Sequence, residues 1–277
     1  MRLVDLPSSA AVPALGLGTW HMGEDRRRRA DEVAALRLGV DLGMTPVDTA
    51  EMYASGGAEE VVGEAIAGRR DQVFLVSKVL PSNASRAGTV RACEASLKRL
   101  GTERIDLYLL HWRGSYRLAE TVEAFEALVA QGKIGAWGVS NFDVADMAEL
   151  AGVPGGRAVQ TDQVLYNLQA RGIDFDLLPQ LGRAGVAVMA YSPVGQGDLA
   201  RHSGLAAIGA RIGATAAQVA LAWTLRHPHV IAIPKATRPQ HVRDNRAALD
   251  IALSQDDLAE IDRLFAPPRQ ATPLGMI

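Results

Sequence analysis

The stretch "TPVDTAEMYASGGAEEVVGEAI", residues 45–66, sets a carboxylate, a tyrosine and paired glycines between a short apolar run and an amphipathic segment. Val47 leads into Asp48, so the acid stands where a buried strand emerges. From Glu59 onward, Val61, Val62, Ala65 and Ile66 recur at helical spacing. Tyr53 therefore belongs to a strand-to-helix loop, five residues past Asp48. In several α/β architectures that edge carries the chemistry.

Outward from this unit, apolar runs alternate with helical patterns along the whole chain. Strands are predicted over 15–19, 46–48, 73–77, 105–110, 136–140, 160–164, 186–191 and 230–233. Helices are predicted between them over 31–42, 59–67, 86–100, 118–131, 144–150, 176–184 and 216–226, and one more over 239–248. Thr215 before Gln218 and Ser254 before Asp257 read as capping boxes, the second opening an extra helix over 254–265. Eight strands alternating with eight helices imply parallel pairing through crossovers. No linker, low-complexity segment or repeat divides the 277 residues. The expectation is an α/β protein with one domain over 1–277, a single (β/α)8 TIM barrel with an extra C-terminal helix.

Composition narrows the function classes. The chain is 48% hydrophobic and 22% charged, with a formal net charge of -2, which gives no general reason to bind nucleic acid or anionic membranes. Its single cysteine, Cys93, excludes an intrachain disulfide and reads as a small buried hydrophobe. The opening "MRLVDLPSSAAVPALGLG" is broken by Asp5, Pro7 and Pro13 and lacks a continuous apolar signal core. No apolar run is long enough to span a bilayer. A soluble, cytoplasmic, monomeric protein without nucleic-acid or membrane partners is expected. The basic run Arg26–Arg29 reads as a solvated helix face, because the rest of the chain is not basic. His227 and His229 are the one close histidine pair, but they precede the eighth strand, on the wrong rim for a metal-dependent barrel hydrolase, and no metal is expected. "GLGTWH" places His21 where a dinucleotide fingerprint needs its third glycine, which argues against a Rossmann dehydrogenase.

Barrel enzymes assemble their sites at the C-terminal ends of strands. Those ends carry Asp48 with Tyr53 behind it, Lys78, His111 and Trp112, Ser140 and Asn141, Gln163, Tyr191 and Ser192, and Lys235. Any one of them alone reads better as a satisfied rim polar group, but their agreement over seven strands is not explained by loop composition. Asp, Tyr, Lys and His together have a chemical logic. A phenol with a pKa of about 10 releases its proton poorly near neutrality. A neighbouring ammonium favours the phenolate and lowers that pKa. An aspartate fixes the lysine and keeps it charged, and the result is a tunable general acid for a developing alkoxide. A histidine alongside can orient a carbonyl oxygen by hydrogen bonding. What is missing is a reductant, the role of a nicotinamide cofactor.

"GLGTW", "DLGMTPVDTAEMYASGGAEEVVGEAI", "LVSK", "DLYLLHW", "GVSNF", "AYSPVGQG" and "IPKATRPQHVRDN" resemble the aldo-keto reductases, in the family's order and from Leu15 to about Phe265. "TAEMYASGGAE" and "SKVLPSNA" most resemble the bacterial methylglyoxal-reductase-like branch. The resemblance implies that Asp48, Tyr53, Lys78 and His111 are the catalytic tetrad, with Tyr53 as the acid. It implies that Ser140, Asn141 and Gln163 hold the nicotinamide carboxamide and that Tyr191 stacks on the ring. "GLGTW" adds Gly18, Thr19 and Trp20 to the cofactor set. "SPVGQG" implies a loop over the pyrophosphate with Ser192, Val194, Gly195 and Gln196. Lys235, Thr237, Arg238, His241 and Asn245 fall in the adenosine phosphate and adenine region.

Two positions depart from that pattern. Ala236 follows the lysine where a serine or threonine is common, and His241 replaces the arginine that clamps the 2'-phosphate. A neutral imidazole is a poorer phosphate partner than a bidentate guanidinium. Lys235 remains, Arg238 is a candidate to compensate, and no acid between Lys235 and Arg243 favours a free ribose. NADPH is therefore placed ahead of NADH, which stays possible. Trp20, Met22, Trp112 and Phe142 read as substrate-pocket walls or as rim packing. After Phe265 the tail "APPRQATPLGMI" is short for a loop closing over a large ligand, which suggests an open pocket for small aldehydes or 2-oxoaldehydes such as methylglyoxal. The alternative function is a cofactor-binding regulatory subunit with little turnover.

Overall fold

In the computed structural model, which describes residues 1–8 and 10–277, the apolar runs become strands and the amphipathic segments pack outside them. The strands are β1 (Leu3–Asp5), β2 (Ala11–Pro13), β3 (Leu17–Gly18), β4 (Pro46–Asp48), β5 (Phe74–Val79), β6 (Ile105–Leu110), β7 (Ile134–Ser140), β8 (Thr161–Leu165), β9 (Ala187–Tyr191) and β10 (Val230–Ala232). The α-helices are α1 (Arg29–Asp41), α2 (Gly57–Ile66), α3 (Arg86–Leu100), α4 (Leu118–Ala130), α5 (Val144–Ala151), α6 (Leu177–Ala184), α7 (Ser203–Ile212), α8 (Ala216–Thr224), α9 (Pro239–Ala247) and α10 (Gln255–Leu264).

Strands β3 to β10 pair parallel in chain order. The sheet closes on itself just before β3, where Leu15 bridges Ala232 in parallel. There the Gly16 amide donates to the Ala232 carbonyl at 2.9 Å, and the Ala232 amide donates to Ala14 at 2.8 Å. Closure removes both sheet edges and produces the TIM barrel. Bare backbone is required at this seam: a Cβ on Gly18 would sit 2.6 Å from the Ile233 carbonyl oxygen. The barrel strands are buried on both faces, as in Leu75 to Val79 of β5, which explains their continuous apolar reading. Helices contribute one stripe each; α6 buries Leu177, Leu178 and Leu181. Both predicted capping boxes form, at Thr215 with Gln218 and at Ser254 with Asp257.

Two features lie outside the sequence reading. The antiparallel hairpin β1–β2 pairs Leu3 with Pro13 near the N-terminal end of the barrel, where the Arg2 guanidinium donates to the His227 and Val230 carbonyls at 3.0 Å. Three-residue strands give too little alternation to be seen. Helix α7 begins with His202 accepting from the Leu205 amide at 3.3 Å, and it contains Gly204 and Gly209. A histidine cap and two internal glycines hide a helix from propensity and capping rules. No single helix is long and apolar enough to cross a membrane.

Candidate active site

Each strand delivers its last residues to one rim, and the loop backbones there are bent to present them. All six non-glycine residues with left-handed backbone among the described residues lie in these loops: His21, Ala54, Ser55, Asn141, Ser192 and Gln196. Such conformations persist only when surrounding structure enforces them, and they concentrate at functional sites. Ala54 and Ser55 directly follow Tyr53, and Gly56 completes the bend at φ 92°.

Lys78 lies at the centre, fully buried on β5. Its Nζ donates to both Asp48 carboxylate oxygens at 2.8 Å, to the Thr49 carbonyl at 2.9 Å and to the Tyr53 hydroxyl at 3.2 Å. The Tyr53 and His111 rings meet edge to face with centroids 5.8 Å apart. Burial opposes the Lys78 charge, but Asp48 and Tyr53 outweigh it and hold the ammonium above its ordinary value. Burial also raises Tyr53; the Lys78 charge acts against this, Asp48 adds to it, and the phenol stays above its ordinary value. The sequence-based expectation of a lowered tyrosine is therefore corrected: lysine pulls in the expected direction, but desolvation is the larger effect. Burial, with a contribution from Lys78, pushes His111 down to about 2, so its imidazole is neutral. Its Nδ1 is buried and unpartnered.

A hydrogen-bonded chain extends from this centre. Gln163 Nε2 donates to Asp48 Oδ1 at 2.7 Å, which spends one amide proton on that carboxylate. The Ser140 hydroxyl donates to the Gln163 carbonyl at 2.7 Å, and Asn141 Nδ2 donates to the His111 carbonyl at 3.1 Å. The Tyr191 hydroxyl donates to Asn141 Oδ1 at 2.9 Å, and burial pushes that phenol up to about 12. The Thr19 hydroxyl anchors β3 to this group by donating to the Asp48 carbonyl at 2.9 Å.

Above these groups opens a cavity of about 730 Å³. Asp48, Tyr53 and His111 line it, while Lys78 lies behind them. Gly18, Thr19, Trp20, Ser140, Asn141, Gln163, Tyr191, Ser192, Val194 and Gln196 line it too, and Lys235, Thr237, Arg238, His241 and Asn245 lie along its α9 end. Gly195 does not line it; a Cβ there would meet Gln169 Oε1 at 2.6 Å.

The four pocket-wall candidates divide. Trp20 and Trp112 line the cavity, whereas Met22 and Phe142 are wholly buried and do not. Those two are corrected to core residues, because the bends at His21 and Asn141 turn the following side chains inward. The tail is corrected in the other direction: Met276 and Ile277 line the cavity, although its length had suggested an open mouth. Sequence reasoning also missed Met52, His21 and Asp244 in the lining. Asp244 lies one position past Arg243, just beyond the acid-free segment from Lys235. Cys93 is buried with its thiol pushed up to about 12, consistent with an inert side chain. His227 and His229 have ring centroids 6.0 Å apart, and among the described residues no group of three or more His, Cys, Asp or Glu is placed to hold a metal ion.

The chain, a closed parallel barrel with a buried Lys–Asp pair under a rim tyrosine and histidine, belongs to the aldo/keto reductase family, whose model matches residues 14–266. It is similar over its whole length to methylglyoxal reductase YeaE of Escherichia coli (strain K12), at 50% identity with 100% of this chain and 99% of that protein covered. Two crystal structures of aldo/keto reductase from Klebsiella pneumoniae, one in complex with NADP and acetate and one with NADPH, superpose with TM-scores of 0.98 at 54% identity. Each comparison covers 100% of this chain and 99% of the other.

Proposed function

We propose that this protein reduces small aldehydes or 2-oxoaldehydes to alcohols, with NADPH as hydride donor and Tyr53 as general acid. The observation that carries the proposal is one ammonium, Lys78 Nζ, bonded at once to Asp48 and to the Tyr53 hydroxyl at the cavity floor. The similarity to a protein named methylglyoxal reductase supports the substrate class, and the NADP- and NADPH-bound relatives support the cofactor. The residues present fit a dinucleotide: the cavity runs from the tetrad to a basic end at Lys235 and Arg238, with amide and hydroxyl groups between.

Ser140, Asn141, Gln163 and Tyr191 would hold the nicotinamide end, the loop from Ser192 to Gln196 the pyrophosphate, and the region from Lys235 to Asn245 the adenosine. Bound there, the cofactor supplies a hydride to the carbonyl carbon. As negative charge grows on the carbonyl oxygen, Tyr53 delivers its proton to it, and the adjacent Lys78 charge stabilises the phenolate left behind. Neutral His111 offers a hydrogen bond that aligns the oxygen. Trp20, Trp112, Met52 and the tail residues Met276 and Ile277 give the substrate end apolar walls that suit a small carbonyl compound.

The test is a panel of aldehydes, 2-oxoaldehydes and ketones assayed with NADPH and with NADH. Turnover of the small aldehydes, faster with NADPH, is the expected result. Tight cofactor binding without turnover of any carbonyl would favour the regulatory-subunit reading instead.

A further inference from the structure

In the basic run Arg26–Arg29, which reads in sequence as a solvated face, exposed Arg28 touches Thr237, a residue that lines the cavity. We propose that Arg28 is a specificity-determining residue for the cofactor, its guanidinium binding the 2'-phosphate of NADPH from the α1 side and supplying the fork that position 241 lacks. The assignment rests on the reading that this cavity takes NADPH.

Arg28 Nη2 donates to the Thr237 hydroxyl at 3.3 Å, a contact that joins the start of α1 to the loop before α9 across 209 positions of sequence. Thr237 lines the cavity between Lys235 and Arg238. The contact is long for a guanidinium and its acceptor is neutral, so a phosphate oxygen is a better partner for the same donor. The neighbours of Arg28 in the run are committed elsewhere: Arg27 pairs with Asp25 at 3.1 Å, and Arg29 pairs with Glu64 at 2.8 Å and Glu60 at 3.4 Å. Among the described residues Arg28, Lys235 and Arg238 form no ion pair.

Two cations gathered without an ion-paired carboxylate raise each other's energy. Partial desolvation lowers the Lys235 ammonium's hold on its proton, and the Arg28 charge lowers it further. Glu32 and Glu24 oppose this weakly and are already occupied. Glu32 is buried and accepts the Gly23 amide at 2.9 Å, and Glu24 meets His21 at 2.7 Å. An anion between Lys235 and Arg28 would relieve the repulsion, and a phosphate monoester carries about two negative charges to do so. Lys235 supplies a point charge, and the planar Arg28 fork supplies direction.

One group favours the other cofactor. Asp244 lines the same end, with Oδ1 accepting from Gln240 Nε2 at 2.8 Å, and a carboxylate suits free ribose hydroxyls. Removing Arg28 therefore shifts preference toward NADH as well as weakening NADPH.

The experiment is calorimetric titration of NADPH and NADH into the purified full-length protein, wild type beside Arg28→Ala, Arg28→Lys and Arg27→Ala. Arg28→Ala should weaken NADPH by about ten- to a hundredfold, the scale of a lost charge-assisted hydrogen bond, and leave NADH within about twofold. Arg28→Lys should recover part of the loss, and Arg27→Ala should match wild type. The salt dependence of NADPH binding should flatten in Arg28→Ala alone. Unchanged NADPH affinity in Arg28→Ala, with wild type still preferring NADPH, overturns the role of Arg28 and leaves the cofactor reading standing. An equal loss in Arg27→Ala also overturns it, by reducing the effect to general charge. Wild type that binds neither dinucleotide, or binds both equally, overturns the cofactor reading and the assignment with it.

Discussion

Among single side chains, Lys78 has the most demanding position, since one buried ammonium serves Asp48, Thr49 and Tyr53 together. Lys78→Met would leave the Asp48 carboxylate buried without its counter-charge, at a cost of about 3–5 kcal/mol. It would also remove the charge that stabilises the phenolate. Turnover should fall by about 10²–10⁴-fold, more than for His111→Gln, because the role proposed for the histidine is only to align the carbonyl. The pH profile of wild-type reduction follows from the same groups. His111 protonates only near 2 and so produces no acid limb at moderately acidic pH. Tyr53 and Lys78 are both held above their ordinary values of 10.0 and 10.5, so proton donation should decline only at strongly alkaline pH. A rate profile of the chemical step checks this, and a histidine-like limb near pH 6 would contradict it. That Asp48, Tyr53, Lys78 and His111 come together was legible because residue type and strand-end position coincide. The direction of the Tyr53 shift was not, because a sequence names the neighbouring charge but not the depth of burial that outweighs it.

At the scale of elements, the β4–α2 loop fixes the Tyr53 hydroxyl beside Lys78 at the strand ends. Gly56 makes this possible: at φ 92° it turns the chain into α2, and a Cβ there would lie 2.5 Å from Arg99 Cδ. Arg99 cannot yield freely, since its Nε donates to buried Glu59 at 2.6 Å, and Glu59 in turn accepts from Ser77 beside Lys78. Gly56→Ala should therefore cost about 1–3 kcal/mol of stability and lower kcat while leaving cofactor affinity near wild type. Thermal unfolding and cofactor titration together check this; an active, fully stable alanine variant would mean that the loop tolerates other shapes. The element pattern itself was readable wherever apolar periodicity and caps agreed, as at Ser254 and Thr215. Helix α7 and the β1–β2 hairpin escaped because one relies on a histidine cap and the other on strands too short for periodicity.

For the molecule as a whole, closure of the sheet turns seven separate strand ends into one network. The sequence identified the ends, but neighbours such as Gln163 and Asp48, 115 positions apart, become partners only through barrel curvature. The same holds for the return of Met276 and Ile277 to the cavity and for the approach of Arg28 to Thr237, since neither contact leaves a local signal. Met22 and Phe142 err in the opposite sense: both follow strand ends, yet a left-handed residue just before each turns it into the core. The central claim is that this network exists to let Tyr53 give up a proton during hydride transfer. The most direct test is single-turnover reduction of a small 2-oxoaldehyde with deuterated and ordinary NADPH, in wild type and in Tyr53→Phe, beside a cofactor titration of each. Tyr53→Phe should bind NADPH as wild type does and lose about 10²–10⁴-fold in the isotope-sensitive step. A phenylalanine variant that keeps near wild-type hydride transfer would contradict the account and require another proton donor.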